Sequence, residues 1–253
     1  MSVLLFFSIA VASGLLYPII ATIIKLRLTS RTASYPLFEQ RSVEALPPTA
    51  QNYFRRLAGT LQAQGFSDAM YLYQGGQLAG TTCFLMLMKN HAAGDMVCAG
   101  DFHFAVKDFY RNTNYLEFAT DLSNGVCINS NNTEDPSVFK PDPANPVFKF
   151  PGLKDSWRLY EAHRRLIARH APGELRVLPS EGMEISHICS SVKRSLEKQV
   201  EYGYYYKEQP SGDYRPTWKG AVTMTFRVAW PVRDLKMAAL RNRAAQTLRS
   251  LGL

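Results

Sequence analysis

No G-x-S-x-G elbow, G-x-x-x-x-G-K-[ST] loop, H-E-x-x-H pair or C-x-x-C occurs in the 253 residues. Nucleophile-elbow hydrolases, P-loop NTPases, zincins and thioredoxin-like oxidoreductases therefore find no motif here. Gly75-Gly76…Gly80 has the wrong spacing for a dinucleotide loop and falls between two strand patterns, where glycines serve turn geometry. The 4 cysteines, Cys83, Cys98, Cys127 and Cys189, are scattered in apolar settings. That spacing excludes a small disulfide framework and reads as buried reduced thiols. Lys and Arg are absent ahead of position 25, and that absence bears on membrane topology.

Val3 to Ile24 is uncharged and largely apolar, interrupted by Ser8, Ser13, Gly14, Pro18 and Thr22. At about 1.5 Å rise per residue, a helix of that length crosses a hydrocarbon core of roughly 30 Å. Ala10-Val11-Ala12 resembles a signal-peptidase site, but no basic segment precedes the run and the run continues well past it. The expectation is an uncleaved transmembrane anchor over residues 1–28, followed by a linker over 29–44. Lys25, Arg27 and Arg31 follow the span at once, so the positive-inside rule puts the N-terminus outside and everything after it in the cytoplasm. The localisation expected is the cytoplasmic membrane, single-pass.

The formal net charge of +8 is uneven. Residues 1–44 carry +2 and residues 214–253 carry +7, which leaves 45–213 at −1. The basic end holds Trp218, Arg227, Trp230 and Arg233, an aromatic and cationic mixture suited to the headgroup region. With Lys25, Arg27 and Arg31 these form the candidate membrane-interface set, and anionic lipid headgroups are the partner they imply. Met237, Leu240, Ala244, Leu248 and Leu251 recur at helical spacing and make 214–253 a basic aromatic segment ending in an amphipathic helix. Its plainer alternative is a strand over 221–230 followed by a surface helix. Nucleic acid is not expected, because no recognition motif accompanies the charge.

Residues 45–213 read as one α+β soluble domain. Pro47-Pro48 opens a helix with Tyr53, Phe54, Leu57 and Leu61 on one face, and Gly65 closes it. Five strand patterns follow, at 69–74, 79–89, 95–107, 113–121 and 125–129. The tight-turn signal Ser123-Asn124-Gly125 lies between the last two, and the short connections predict an antiparallel meander. Residues 130–152, rich in Pro, Asn and Asp, form a crossover. Helices are predicted over 155–170 and from about Glu181, the latter striped by Ile185, Ile188, Val192, Leu196 and Val200. The fold class expected is α+β: a transmembrane helix, a meander of about five strands packed with helices, and a basic amphipathic C-terminal helix.

Among the histidines, His103 alternates with aromatics in Asp101-Phe102-His103-Phe104 and shares a strand face with Asp101. Were His163 to pack on that face, Asp101, His103 and His163 would line a ligand pocket. His163 and His170 lie about 10 Å apart along one helix, too far to bind one metal together. No cofactor, metal or catalytic residue is assigned.

Phe118-x-Thr120-x-x-x-Asn124-Gly125, Ser130-Asn131, Pro151-Gly152…Asp155…Leu159-Tyr160-x-x-His163-Arg164-Arg165, and Trp218-Lys219-Gly220-Ala221 with Trp230-Pro231 resemble uncharacterised bacterial proteins with a single N-terminal membrane span. The resemblance covers about half the chain in short motifs, implies an N-terminal anchor, treats 1–253 as one unit, and transfers no catalytic residue. The function expected is a membrane-anchored accessory protein that binds or stabilises a membrane protein complex from the cytoplasmic face. The alternative is a membrane-tethered enzyme or ligand-binding domain using Asp101, His103 and His163.

Overall fold

The structure is a computed structural model that describes residues 17–75, 81–106 and 109–253. It divides into two compact units, one built from 17–34, Pro136–Lys140 and Val192–Lys236, the other from Tyr35–Asp135, Pro141–Ser191 and Met237–Leu253. Among the described residues the fold is α+β, with a mixed sheet and six helices.

The larger unit is organised by that sheet. Its strands are β1 (Glu39–Arg41), β2 (Ser67–Gly75), β3 (Thr81–Asn90), β4 (Asp95–Val106), β5 (Phe109–Leu122), β6 (Cys127–Asn131) and β7 (Val147–Lys149), hydrogen-bonded in that order. β8 (Arg176–Val177) adds to the end of β5. The expected five-stranded meander is β2 to β6. β1 extends it with a segment expected as linker, and β7 pairs with β6 in parallel after the proline-rich crossover. Gly125, at φ +84°, and the Asn124 side chain, which accepts from Val126 N at 3.0 Å, close the β5–β6 turn.

Side chains alternate across the sheet as a period of two requires. Phe84, Met86, Met88, Val97, Ala99, Leu116 and Phe118 face one way. They pack beneath α2 (Pro48–Gln62) and α3 (Ser156–His170). Leu72, Cys83, Leu85 and Leu87 face the other way and meet Ile185 and Ile188 of α4 (Glu184–Glu201). α3 starts where Asp155 Oδ1 accepts from Trp157 N at 2.9 Å and Arg158 N at 3.3 Å. The buried Lys89–Glu184 pair at 2.6 Å and the His187–Asp121 pair at 2.9 Å fasten α4 to its sheet face.

The smaller unit contains residues 17–29 of a helix, α1, together with the second half of α4 and the ribbon β9 (Tyr205–Lys207)/β10 (Tyr214–Pro216). α5 (Trp218–Val228) and the start of α6 (Val232–Ser250) complete it. Leu196, Tyr205 and Tyr214 form its core with Phe139 and Met224. Gln199 clamps the 136–140 segment by exchanging bonds with Lys140 N at 2.9 Å and Lys140 O at 3.0 Å. Thr32 and Tyr214 exchange backbone hydrogen bonds of 2.9 Å, which joins the chain after α1 to β10.

The structure bears on three expectations. The span over 3–24 lies mostly outside the described residues, and among the described residues no helix is long and apolar enough to cross a membrane. Residues 221–230 are not a strand. Thr217 Oγ1 caps α5 by accepting from Gly220 N at 3.0 Å, and the helix stops at Val228, where the C-cap residue Ala229 turns extended. The capping oxygen outweighs the β-branched content of Val222, Thr223 and Thr225. Finally, the basic aromatic segment 214–253 divides between the two units. Met237 and Ala244 are buried, Leu248, Leu251 and Leu253 pack on the main core, and Arg165 Nη1 donates to the Leu251 carbonyl.

Candidate functional site

The buried heart of the larger unit is a chain of four side chains. Ser130 on β6, His163 on α3, Thr120 on β5 and Asp95 at the start of β4 are all inaccessible to solvent. His163 Nδ1 lies 3.0 Å from Ser130 Oγ and its Nε2 lies 2.9 Å from Thr120 Oγ1. Thr120 Oγ1 is 2.6 Å from Asp95 Oδ1. Donor counting fixes the direction. Thr120 has one hydroxyl proton, which goes to the carboxylate, so its oxygen accepts from His163 Nε2–H, and Nδ1 accepts from Ser130. Burial, helped by the positive charge of Arg176, pushes the His163 pKa down to about 3, so the ring is neutral. Asp95 also accepts from Tyr160 at 2.8 Å and from Arg176 at 3.1 Å.

Ser130 donating to a histidine has the form of an activated nucleophile, but no member of this chain is reachable by a substrate. Its role is to tie α3 to β4, β5 and β6. Asp95, Ser130 and Arg176 escaped sequence reasoning. The available signal was a polar residue in each core-facing register, since Thr120 follows Phe118 and Ser130 follows Ile128 on the buried face.

The proposed trio is divided. Asp101 and His103 form a pair, with Oδ2 to Nε2 at 2.8 Å, and His103 stands edge-on to Phe84 at 5.6 Å. His163 sits instead at the Asp95 end of β4, six residues and roughly 20 Å along the strand. Asp101 is 1% exposed, and its Oδ1 has no hydrogen-bond partner. Across the β4–β5 ladder Asp101 faces Asn114 and His103 faces Asn112. Both asparagines line a cleft of about 720 Å³ between α2, β5 and the N-terminus of α3. Tyr53, in the same cleft, donates to the Tyr115 carbonyl at 3.0 Å. Burial raises its pKa, with Asp101 adding to the effect.

The membrane-interface candidates gather in the smaller unit. The Arg27 guanidinium lies over the Tyr206 ring at 5.2 Å and the Trp218 ring at 5.7 Å. Arg215 donates to the Leu28 carbonyl at 2.5 Å. The chain after position 25 and the start of α5 are therefore neighbours. Arg31 pairs with Glu208 at 3.3 Å, and the guanidinium of Arg215 holds the Glu208 carboxyl below its usual range. Arg227 bonds the Val138 carbonyl at 2.9 Å and lies over Tyr204, Lys25 is exposed, and Arg233 is half-buried. Trp218, Val222 and Phe226 recur every fourth residue on the open face of α5 and continue into Trp230, 76% exposed, and Leu235, 69% exposed. Ile20, Ile24 and Leu28 make a second exposed stripe on α1.

Among the described residues no group of three or more His, Cys, Asp or Glu is placed to hold a metal. Burial raises the Cys83 thiol to about 12 and Cys98 and Cys127 further, which favours the protonated thiol over the thiolate. No protein-family model, curated protein or solved structure matches this chain.

Proposed function

We propose that the chain is a membrane-anchored accessory protein, held by its N-terminal apolar run and by a second, interfacial contact made by α5. It serves a membrane protein complex from the cytoplasmic face. The observation that carries this reading is the juxtaposition of Arg27 with Trp218, beside exposed apolar stripes on α1 and α5. Scattered exposed apolar residues are ordinary, whereas a contiguous patch of aromatics rimmed by cations marks an interaction surface. Trp218 and Trp230 have the amphipathic rings favoured at the headgroup boundary, with Lys219, Arg227, Arg233 and Lys236 close in sequence. Each of those cations contributes on the order of 1 kcal/mol near an anionic leaflet. Lys25, Arg27 and Arg31 orient the span, and the unpaired stripe of α1 continues the uncharged run that precedes it.

The chain has 3 tryptophans, and Trp157 belongs to the larger unit. Fluorescence quenching by doxyl-labelled lipids in nanodiscs tests the contact directly. A Trp157→Phe variant is expected to be quenched by shallow labels in anionic nanodiscs. A Trp218→Phe/Trp230→Phe variant, reporting from Trp157 alone, is expected to be indifferent to them. Equal behaviour of the two variants would refute the interfacial role. For the accessory role, blue-native electrophoresis of membranes solubilised in mild detergent is expected to show the chain in one discrete larger species. Migration as a free monomer would remove it.

A further inference from the structure

We infer that the cleft between α2 and β5 binds a neutral, hydroxyl-rich small molecule of the sugar class. This inference is independent of the membrane reading. The cleft has about 720 Å³, within the roughly 300–1,000 Å³ typical of small-molecule sites. Its lining holds three carboxamides, those of Asn112, Asn114 and Asn132. Each carboxamide offers both donors and an acceptor, the combination that matches a hydroxyl, which does both as well. Asn132 Oδ1 is already engaged by Leu116 N at 2.9 Å, which leaves its amino group to donate.

The charges of the lining balance. Arg56 and Lys154 oppose Glu134 and Asp155. An anionic ligand would meet Glu134 and the nearby Asp101, and an ammonium would meet Arg56 and Lys154. A neutral ligand meets neither penalty.

The second observation is Asp101. Its carboxylate is buried behind Asn114, with Oδ2 bound to His103 and Oδ1 unpartnered. A buried acceptor without a donor costs about 1–3 kcal/mol. Asp101 does not itself line the cleft; it stands beside Asn114 in the ladder, so a ligand held by Asn114 would feel its negative charge and would not touch its oxygen, which again disfavours an anion.

Saturation-transfer-difference NMR on the full chain, in a detergent with no sugar headgroup, tests this. The probes are glucose, N-acetylglucosamine and maltose, set against glucose 6-phosphate as anion and putrescine as cation. Transfer to the ring protons of at least one neutral sugar is expected, exceeding that to either charged probe. An Asn112→Ala/Asn114→Ala variant is expected to weaken that binding about tenfold or more. Thr60→Trp, at an exposed cleft position on α2, is expected to abolish it by bulk while leaving the circular dichroism unchanged, which guards against loss through misfolding. Failure of every neutral sugar to show transfer, stronger transfer to a charged probe, or binding that survives Thr60→Trp would each overturn the inference.

Discussion

Acidification from pH 7 to pH 5 should destabilise the larger unit through His163. The ring is neutral when folded, with a pKa near 3, because it is fully buried beside Arg176. In the unfolded chain it titrates near the ordinary value of about 6.5. Over this window the unfolded state binds the extra proton, so stability falls as pH falls. The contribution is fully present above about pH 6.5 and is lost progressively towards pH 3. Between pH 7 and pH 5 the loss works out at about 2 kcal/mol, or a Tm decrease of about 4–8 °C for a chain of this size.

The carboxylates held down by partners, such as Glu184 beside Lys89, stabilise above their unfolded values near 4 and lose that contribution only at lower pH. Glu117, raised by burial, has the opposite sign and offsets part of the loss where it protonates. A difference measurement isolates the histidine. Urea unfolding followed by circular dichroism at pH 7, 6 and 5 should give wild type a slope that His163→Gln lacks, since Gln can bond Thr120 and Ser130 without titrating. The reasoning is refuted if both proteins show the same slope, or if wild type shows none between pH 7 and 5.

Thermal melts provide three further checks. Gly220→Ala should destabilise the smaller unit by more than about 2 kcal/mol, because its Cβ would stand 1.9 Å from the Tyr204 carbonyl oxygen. A change below 0.5 kcal/mol would count as failure. Lys89→Met should cost about 3 kcal/mol by leaving Glu184 buried without its cation, and adding Glu184→Leu should restore most of it. If the double variant is worse than the single, the loss is one of packing and not of an unpaired charge. Asp155→Ala should cost about 1 kcal/mol as a lost N-cap of α3, with Asp155→Ser close to wild type.

How much of this was legible in advance depended on the range of the interaction. The meander was readable because alternation, turn glycines and short connections are local, and β2 to β6 follow them. The Asp101–His103 pair was readable for the same reason, being two residues apart on one strand. His163 was not placed, because 43 residues separate it from Thr120 and 33 from Ser130, and which polar groups meet across the core is decided by how α3 packs on the sheet. The alternative of a strand over 221–230 rests on β-branched and aromatic residues that suggest extension, while the Thr217 cap and the close approach of Gly220 to Tyr204 favour helix.

Composition and order along the chain determined the uncharged N-terminal run, the cations that follow it, the basic C-terminal end, the α+β class and the meander. These are properties of neighbours, and neighbours need no fold to interact. Tertiary structure alone decided that Arg27 meets Trp218 and that the basic end divides between two units, with Met237 to Leu253 taken into the main core. It also decided that Asp101 is buried with one oxygen left over, paired across the ladder with Asn114 of the cleft. Burial and long-range packing change what a side chain can do, and they exist only once distant segments have come together.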